Sequence, residues 1–393
     1  MKIVRKGVLI FTAIFGLSIS SGTQTTFSGE TFDSKLAMES QTEETRHYHS
    51  VKGLADRVRR IEEHMKEDTL ENWADRLTLS GLIEVEVGYE DFNFNNPVET
   101  DASSSDIVLA KVELGVDAAI AKHIRGHVLF LYEDDEDVVL DEGFIIIDGE
   151  DEMPLYLNAG KIYVPFGRFE SHFISDPLTL ELGETRESAV KVGFANELLD
   201  ICFAVFNGDI NETGEEDDHI DGYVFSAVLN LPEEAVSGLG LAVGASYISN
   251  IADSDGIQGA LEDDFGTMEI KDYLAGFSAF LNASVMERFF MEVEYVGITE
   301  DFEGSDLGLA PGEKFQPRAW NLELAYAVSE KLEAAVRYEG SDDTYNLLPE
   351  KQYGAAVLVG LFENTSLAFE YLHGEFENDD KRDLFTCQLA IEF

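Results

Sequence analysis

From residue 77 onward, apolar side chains recur at every second position, and this period of two constrains the fold more than any other feature of the chain. Leu77, Leu79, Gly81, Ile83, Val85, Val87 and Tyr89 alternate with Thr78, Ser80, Leu82, Glu84, Glu86, Gly88 and Glu90. Successive side chains of a strand point to opposite faces, so one face here is apolar and the other mostly polar or acidic. The alternation returns around Leu114 against Lys111, Glu113 and Asp117, around Val293 against Glu292 and Glu294, and around Leu324 against Asn321 and Glu323. It returns again around Val336 against Glu333, Arg337 and Glu339, and in Phe385, Cys387, Leu389, Ile391 and Phe393. Further strands are expected near 124–133, 138–147, 155–164, 178–194, 199–207, 223–231, 239–248, 273–283, 353–361 and 366–373, for about sixteen in all. In 138–147, Asp141 and Glu142 interrupt both faces.

Gap lengths then select among all-β architectures. Long gaps (91–105, 165–177, 208–222, 249–272, 298–317, 340–351, 374–383) alternate with short ones (195–197, 284–287, 329–331, 363–365). Strands of about ten residues joined in this way are the pattern of a transmembrane β-barrel of the outer membrane. No apolar run of about 20 residues is present after the N-terminus, which leaves a closed antiparallel barrel as the membrane-spanning form. The expected fold is therefore all-β and transmembrane, with the short turns and both barrel ends in the periplasm and the long loops outside. Aromatics at strand ends, among them Tyr89, Tyr132, Tyr247, Tyr295, Trp320 and Tyr338, suit contact with outer-membrane lipid. Phe393 resembles the terminal signal read by the bacterial barrel-insertion machinery.

Residues 1–22 read as a signal peptide: Lys2, Arg5 and Lys6 precede a short apolar stretch ending in Ser20, Ser21 and Gly22. Residues 23–76 read as a periplasmic linker with a short coiled coil. There Val51, Leu54, Val58, Ile61 and Met65 follow a 3,4 spacing and form the seam expected to assemble a homotrimer. The barrel is assigned to 77–393.

The chain carries 78 acidic and 27 basic residues, a formal net charge of −51. That excludes nucleic-acid binding by phosphate neutralisation. Two cysteines give no disulfide framework. No Walker loop, HExxH, CxxC or GxSxG motif is present, so neither an enzyme nor a bound cofactor is expected. The acidic loops are expected to bind divalent cations weakly at most. Asp253, Asp255, Gly256 and Glu262 match four positions of an EF-hand loop, but Ile251 stands where its first carboxylate is needed.

Inward parity assigns Glu84, Glu86, Lys111, Glu113, Asp117, Arg125, Lys191, Glu292, Glu294, Glu323, Arg337 and Glu339 to the lumen. Their acidic surplus favours cations in a narrow pore. The third long loop, from Pro165 to Pro177, is expected to enter the barrel as a constriction. Phe166, Phe169 and Phe173 would pack it on the wall, leaving Arg168, Glu170, His172 and Asp176 at the narrowest point.

The run Asn158-Ala-Gly-Lys-Ile-Tyr-Val-Pro-Phe-Gly-Arg-Phe169 and the segment Thr179-Leu-Glu-Leu-Gly-Glu-Thr-Arg-Glu-Ser-Ala-Val190 resemble the LbtU-type siderophore porin family. So does the order of signal, short coiled coil and barrel ending in Phe. The Gly-Lys-x-x-x-Pro-Phe-Gly element is also similar to phosphate-selective porins. The resemblance implies an outer-membrane channel of a Gram-negative bacterium that takes part in siderophore uptake without a plug domain. Many ferric siderophores are anionic, which conflicts with the acidic lumen. Three readings stay open: a siderophore-uptake channel, a general or cation-preferring porin for small cations, and a structural envelope barrel held through its coiled coil.

Overall fold

In a computed structural model, residues 76–393 are described except 97, 99, 135, 150–152, 215–218, 233–235, 263–265 and 305–313. The signal and the seam Val51, Leu54, Val58, Ile61 and Met65 lie outside the described residues. Among the described residues sixteen antiparallel strands close into a barrel. They are β1 (Leu77–Asn93), β2 (Ala102–Ala121), β3 (Ile124–Glu133), β4 (Val139–Gly149), β5 (Met153–Tyr163), β6 (Arg186–Ala195), β7 (Leu199–Phe206) and β8 (Gly222–Leu231). The remainder are β9 (Leu239–Ile248), β10 (Gly276–Val285), β11 (Phe289–Ile298), β12 (Arg318–Ser329), β13 (Leu332–Asp342), β14 (Lys351–Phe362), β15 (Thr365–Glu375) and β16 (Lys381–Glu392). Pairing of β1 with β16, from Leu82↔Glu392 to Asn93↔Lys381, shuts the sheet. Phe393 completes the seam through two backbone bonds with Gly81, at 2.8 and 3.0 Å.

Closure removes the free sheet edges, and the period of two gives the wall its two faces. Outward residues such as Ile83, Val85, Val87, Leu322, Leu324, Phe385, Leu389 and Ile391 are exposed. In water so wide an apolar surface would be an aggregation hazard; against lipid it is the solvated face. Outward rings pair near both rims: Trp320 with Tyr338 at 4.9 Å and Tyr223 with Tyr247 at 6.1 Å toward the long loops, Phe289 with Tyr326 at 4.6 Å toward the short turns.

At one end the strands are joined by L1 (94–101), L2 (134–138), L3 (164–185), L4 (207–221), L5 (249–275), L6 (299–317), L7 (343–350) and L8 (376–380). The structure differs from the sequence reading at two places on the way into the site. Residues 178–194 are not one strand. Leu178–Gly183 is a helix, α1, and β6 begins at Arg186, so L3 continues eight residues past Pro177. Leu178, Leu180 and Leu182 alternate as a strand would, but Leu178 and Leu182 are also spaced i, i+4. Burying both against the loop core decides for the helix. In β4, Leu129↔Glu142 is followed by Phe130↔Leu140, so Asp141 occupies a β-bulge. The bulge absorbs the interruption; Asp141 is buried, accepts a hydrogen bond from Tyr163 Oη and pairs with Arg186.

The long loops are not an open, solvated mouth. Leu178 and Leu182 of L3, Ile210 of L4, Ile251, Leu261, Ile270 and Leu274 of L5 and Phe302 of L6 are buried together. They pack on the inward residues Ile162, Ala204, Phe206, Val224, Ile248, Val296 and Ala319 at the loop ends of the strands. The interior is thus apolar at the loop ends of the strands. In L5, Ile251 is buried and residues Asp255–Ala260 form a second helix, α2, so this segment does not wrap as an EF-hand loop. Asp253 is buried, accepting from Ile210 N at 2.9 Å and Asn250 Nδ2 at 2.9 Å.

Candidate functional site

The register of β11–β15 sets rows of inward groups side by side. One row is Glu292↔Glu323↔Arg337, and the next is Glu294↔Asn321↔Glu339↔Gln352. A third row, nearer the short turns, is Ala325↔Ala335↔Ala356↔Glu370. Acids directly opposite one another on neighbouring strands repel. Such a wall needs compensation, and L3 supplies it.

L3 descends inside the barrel and is fastened by its backbone amides. Gly167 N donates to Ser246 Oγ at 3.0 Å, and Arg168 N and Phe169 N donate to the two oxygens of Glu294, each at 2.8 Å. His172 N donates to Glu323, while the His172 ring lies 2.7 Å from Glu333 and 3.8 Å from Glu292. Ile174 N and Ser175 N share Glu370 Oε2 at 2.7 and 3.0 Å, and Leu178 N donates to Glu339 Oε2 at 2.8 Å. Residues 172–178 therefore rise along β13 beside 333–339. Each amide–carboxylate bond is charge-assisted and contributes about 1.5–3 kcal/mol.

Arg337 joins wall and loop. It bonds Glu323 Oε2 at 2.9 Å and Glu339 Oε1 at 3.5 Å, donates to Ser171 Oγ, and donates to the carbonyls of Ser175 at 2.9 Å and Asp176 at 3.3 Å. Its guanidinium lies 4.2 Å over the Phe173 ring, and the side chains of Arg337, Glu323 and Glu339 are fully buried. Phe173 rests on the alanine row and Leu372. Small residues at that depth make room for one ring, and the ring buries against them.

The turn into L3 is glycine-dependent. Gly167 has φ +75°, and a Cβ there would lie 2.1 Å from the Phe169 ring. Gly167→Ala is expected to destabilise the loop's entry by about 1–3 kcal/mol. The check is limited proteolysis of the folded barrel, where cleavage within 165–175 should accelerate while heat-modifiable gel mobility is retained. Unchanged cleavage would mean that the turn tolerates the side chain.

The sequence-predicted site residues divide into those beneath the loop and those facing open space. Phe166 and Phe173 are buried and Phe169 is half-buried. Asp176 is not at the narrowest point but buried, at 7% exposure. Glu292, Glu294, Glu323, Arg337 and Glu339 are buried too, and do not line open lumen: L3 covers them. Glu84, Glu86 and Lys111 are also buried; Glu86 accepts from Gln388 at 2.9 Å and Lys111 pairs with Glu113 at 2.9 Å. Arg168 remains exposed, paired with Glu170 at 2.6 Å and 5.3 Å above the Phe280 ring, and Glu170 also accepts from Asn282. Asp117, paired with His127 at 2.8 Å, Arg125, paired with Asp148, and Lys191 keep accessible surface. Glu370, Glu333 and Ser171 also join L3 to the wall, and the pattern did not single them out. Glu370 stands between Phe369 and Tyr371 and is legible as an inward acid; that it binds loop amides is not.

No family model matches the chain. A UPF0422 protein of Legionella pneumophila (strain Paris) is 25% identical over 309 residues, 71% of this chain and 56% of the relative. A UPF0422 protein of Coxiella burnetii is 26% identical over 316 residues, 76% of this chain and 64% of the relative. The chain thus spans little more than half the length of the curated relatives it matches. The outer-membrane channel DcaP of Acinetobacter baumannii superposes with a TM-score of 0.56 at 11% identity, over 81% of this chain and 97% of DcaP. An anion-selective porin from Comamonas acidovorans gives 0.55 at 10% identity, over 81% and 99%. The chain therefore has relatives among the UPF0422 proteins of Gram-negative bacteria and the fold of the outer-membrane porins.

Proposed function

We propose that the protein is a porin-type channel of the outer membrane whose width is set by L3. The observation that carries this reading is a loop stitched by its backbone to the inner wall of a closed barrel. A structural barrel would not require a wall of buried acids matched to one loop. The purified protein in planar bilayers is expected to give steady, ohmic single-channel conductance; a silent barrel would favour the structural envelope reading.

The channel's cargo, we propose, is a ferric siderophore, as the family resemblance implies. The charge arrangement supports this better than the raw count of inward acids. Four of those acids, Glu292, Glu294, Glu323 and Glu339, are taken out of open lumen by L3 and Arg337. Among the sequence-predicted pore residues with accessible surface, Glu113, Asp117 and Glu170 stand against Arg125, Arg168 and Lys191. Partly accessible acids outside that set, among them Asp148 beside Arg125 and Glu142 beside His127, keep the open lumen acidic, but less so than the raw count, so repulsion of an anionic complex is reduced rather than removed. A cation-preferring porin is the second reading, favoured by the net charge of −51 at the level of the whole chain.

The long loops face outward from the cell in this reading, the N-terminal segment is periplasmic, and the seam at 51–65 assembles a homotrimer. In a background where Cys202 and Cys387 are serine, Asp272→Cys in L5 is expected to react with an impermeant maleimide on intact cells, and Ser329→Cys at a short turn is not. Equal labelling of both would reverse or abolish the orientation.

A further inference from the structure

Three inward side chains of β10 serve L3 in succession. Across the β10–β11 ladder, Ser278 pairs with Val296, Phe280 with Glu294 and Asn282 with Glu292. Ser278 Oγ donates to Glu294 Oε1 at 3.1 Å, on the carboxylate that also takes the amides of Arg168 and Phe169. The Arg168 guanidinium lies over the Phe280 ring, 5.3 Å from its centre, and Asn282 Nδ2 donates to Glu170 Oε2. One strand thus supports the carboxylate that fixes the Arg168 amide, the guanidinium itself and its ion-pair partner. The place of the ring depends on a glycine. Gly244 of β9 pairs with Phe280, and a Cβ at 244 would lie 2.4 Å from the ring. Gly244 has an ordinary strand backbone, so it is the ring, not the chain, that an alanine would disturb there.

We propose that Phe280, seated on Gly244, is a positioning residue for ion selectivity: it holds the Arg168 charge at one place, while Asn282 holds Glu170. The proposal rests on the porin-type reading above. An exposed ion pair gains little more than the side-chain entropy it loses, so Glu170 alone would leave Arg168 spread over many rotamers. The face of an aromatic ring attracts a guanidinium, and the planar group stacks on it. Among the described residues, Glu170 and Phe280 are the side chains that hold this guanidinium. Leucine at 280 would fill part of the same space and offer no such face. The potential that a charge imposes on a passing ion depends on its distance, so a wandering guanidinium selects less than a fixed one. Gly244 acts on Arg168 through the ring, which lets an alanine there displace the charge without altering either member of the pair.

The test makes F280L, G244A and F280Y in the full chain, each alone and with R168A, and takes two readouts. Heat-modifiable gel mobility establishes that each variant is a closed barrel. The first readout is the Nε–H resonance of Arg168 in arginine-labelled protein in detergent, assigned by its absence in R168K. F280L and G244A should move it by removing or displacing the ring current, and F280Y should leave it in place. The second is the reversal potential in a salt gradient. F280L and G244A should shift the permeability ratio about twofold toward cations, in the direction of R168A but by less, and F280Y should keep the wild-type ratio. Combined with R168A, neither F280L nor G244A should add anything, because the charge they position is gone. A resonance that F280L and G244A leave unmoved would overturn the proposal, whether or not the barrel conducts. So would a selectivity shift that is as large in the R168A background, since that would be the mark of a general change in the wall. A silent wild-type barrel would strike the role in selectivity together with the channel reading, and the resonance would still decide whether Phe280 holds Arg168.

Discussion

Replacing Arg337 with methionine is expected to release L3 from the wall, raising single-channel conductance and exposing residues 165–185 to protease. Among the described residues, Arg337 is the one side chain that bonds both wall acids, Glu323 and Glu339, and the loop at Ser171, Ser175 and Asp176. Methionine keeps the volume under Phe173 but leaves two buried carboxylates without their cation. Breaking a buried ion pair from one side typically costs about 3–5 kcal/mol. The barrel has its own ladder of strand pairing, so the loss should fall on the loop first. A second variant separates charge from packing. R337M combined with E323Q and E339Q removes the orphaned charges and should recover much of the thermal stability. It should not restore low conductance, because Ser171, Ser175 and Asp176 still lack their donor. A low-conductance, protease-resistant R337M channel would show that the amide–carboxylate bonds hold L3 unaided.

The barrel was legible because its code is local. Val85 and Glu86 differ in face simply by being neighbours, and the same arithmetic runs through Leu322–Glu323 and Val336–Arg337. Strand ends drift where alternation continues without a strand, as in Leu178–Leu182, since a short run of alternating leucines satisfies i+2 and i+4 at once. What parity cannot give is what lies above the face. Glu113 and Glu323 carry the same signal in sequence. One keeps accessible surface and the other is fully buried beneath L3. The difference comes from contacts across about 150 residues of chain, such as Ser171 with Glu323, and no local pattern encodes those. The apolar loop core was hidden for a related reason. Ile251, Ile270 and Phe302 sit singly among acids and become a core through the way L5 and L6 fold inward.

Selectivity is expected to depend on two side chains of the loop rather than on the many inward acids. Arg168 and Glu170 are close enough to pair, at 2.6 Å, and both retain accessible surface on L3. A charge removed at a narrow point between low-dielectric walls acts at short range, where screening by salt is weak. Arg168→Ala should shift permeability toward cations and Glu170→Gln toward anions, each by about 1 kcal/mol, a roughly fivefold change in the permeability ratio. Reversal potentials in a salt gradient measure this directly. The comparison that decides the matter is Glu294→Gln. If inward charge alone set selectivity, Glu294→Gln would equal Glu170→Gln. Because Glu294 is buried and spends both oxygens on the amides of Arg168 and Phe169, its loss should loosen the loop and raise conductance while moving the reversal potential little. The same variants test the cargo. In proteoliposomes, influx of an anionic ferric siderophore should fall in Arg168→Ala and rise in Glu170→Gln, with uptake of a neutral sugar of similar size unchanged in both. Influx that follows the sugar in every variant would leave a general diffusion porin and remove the siderophore assignment.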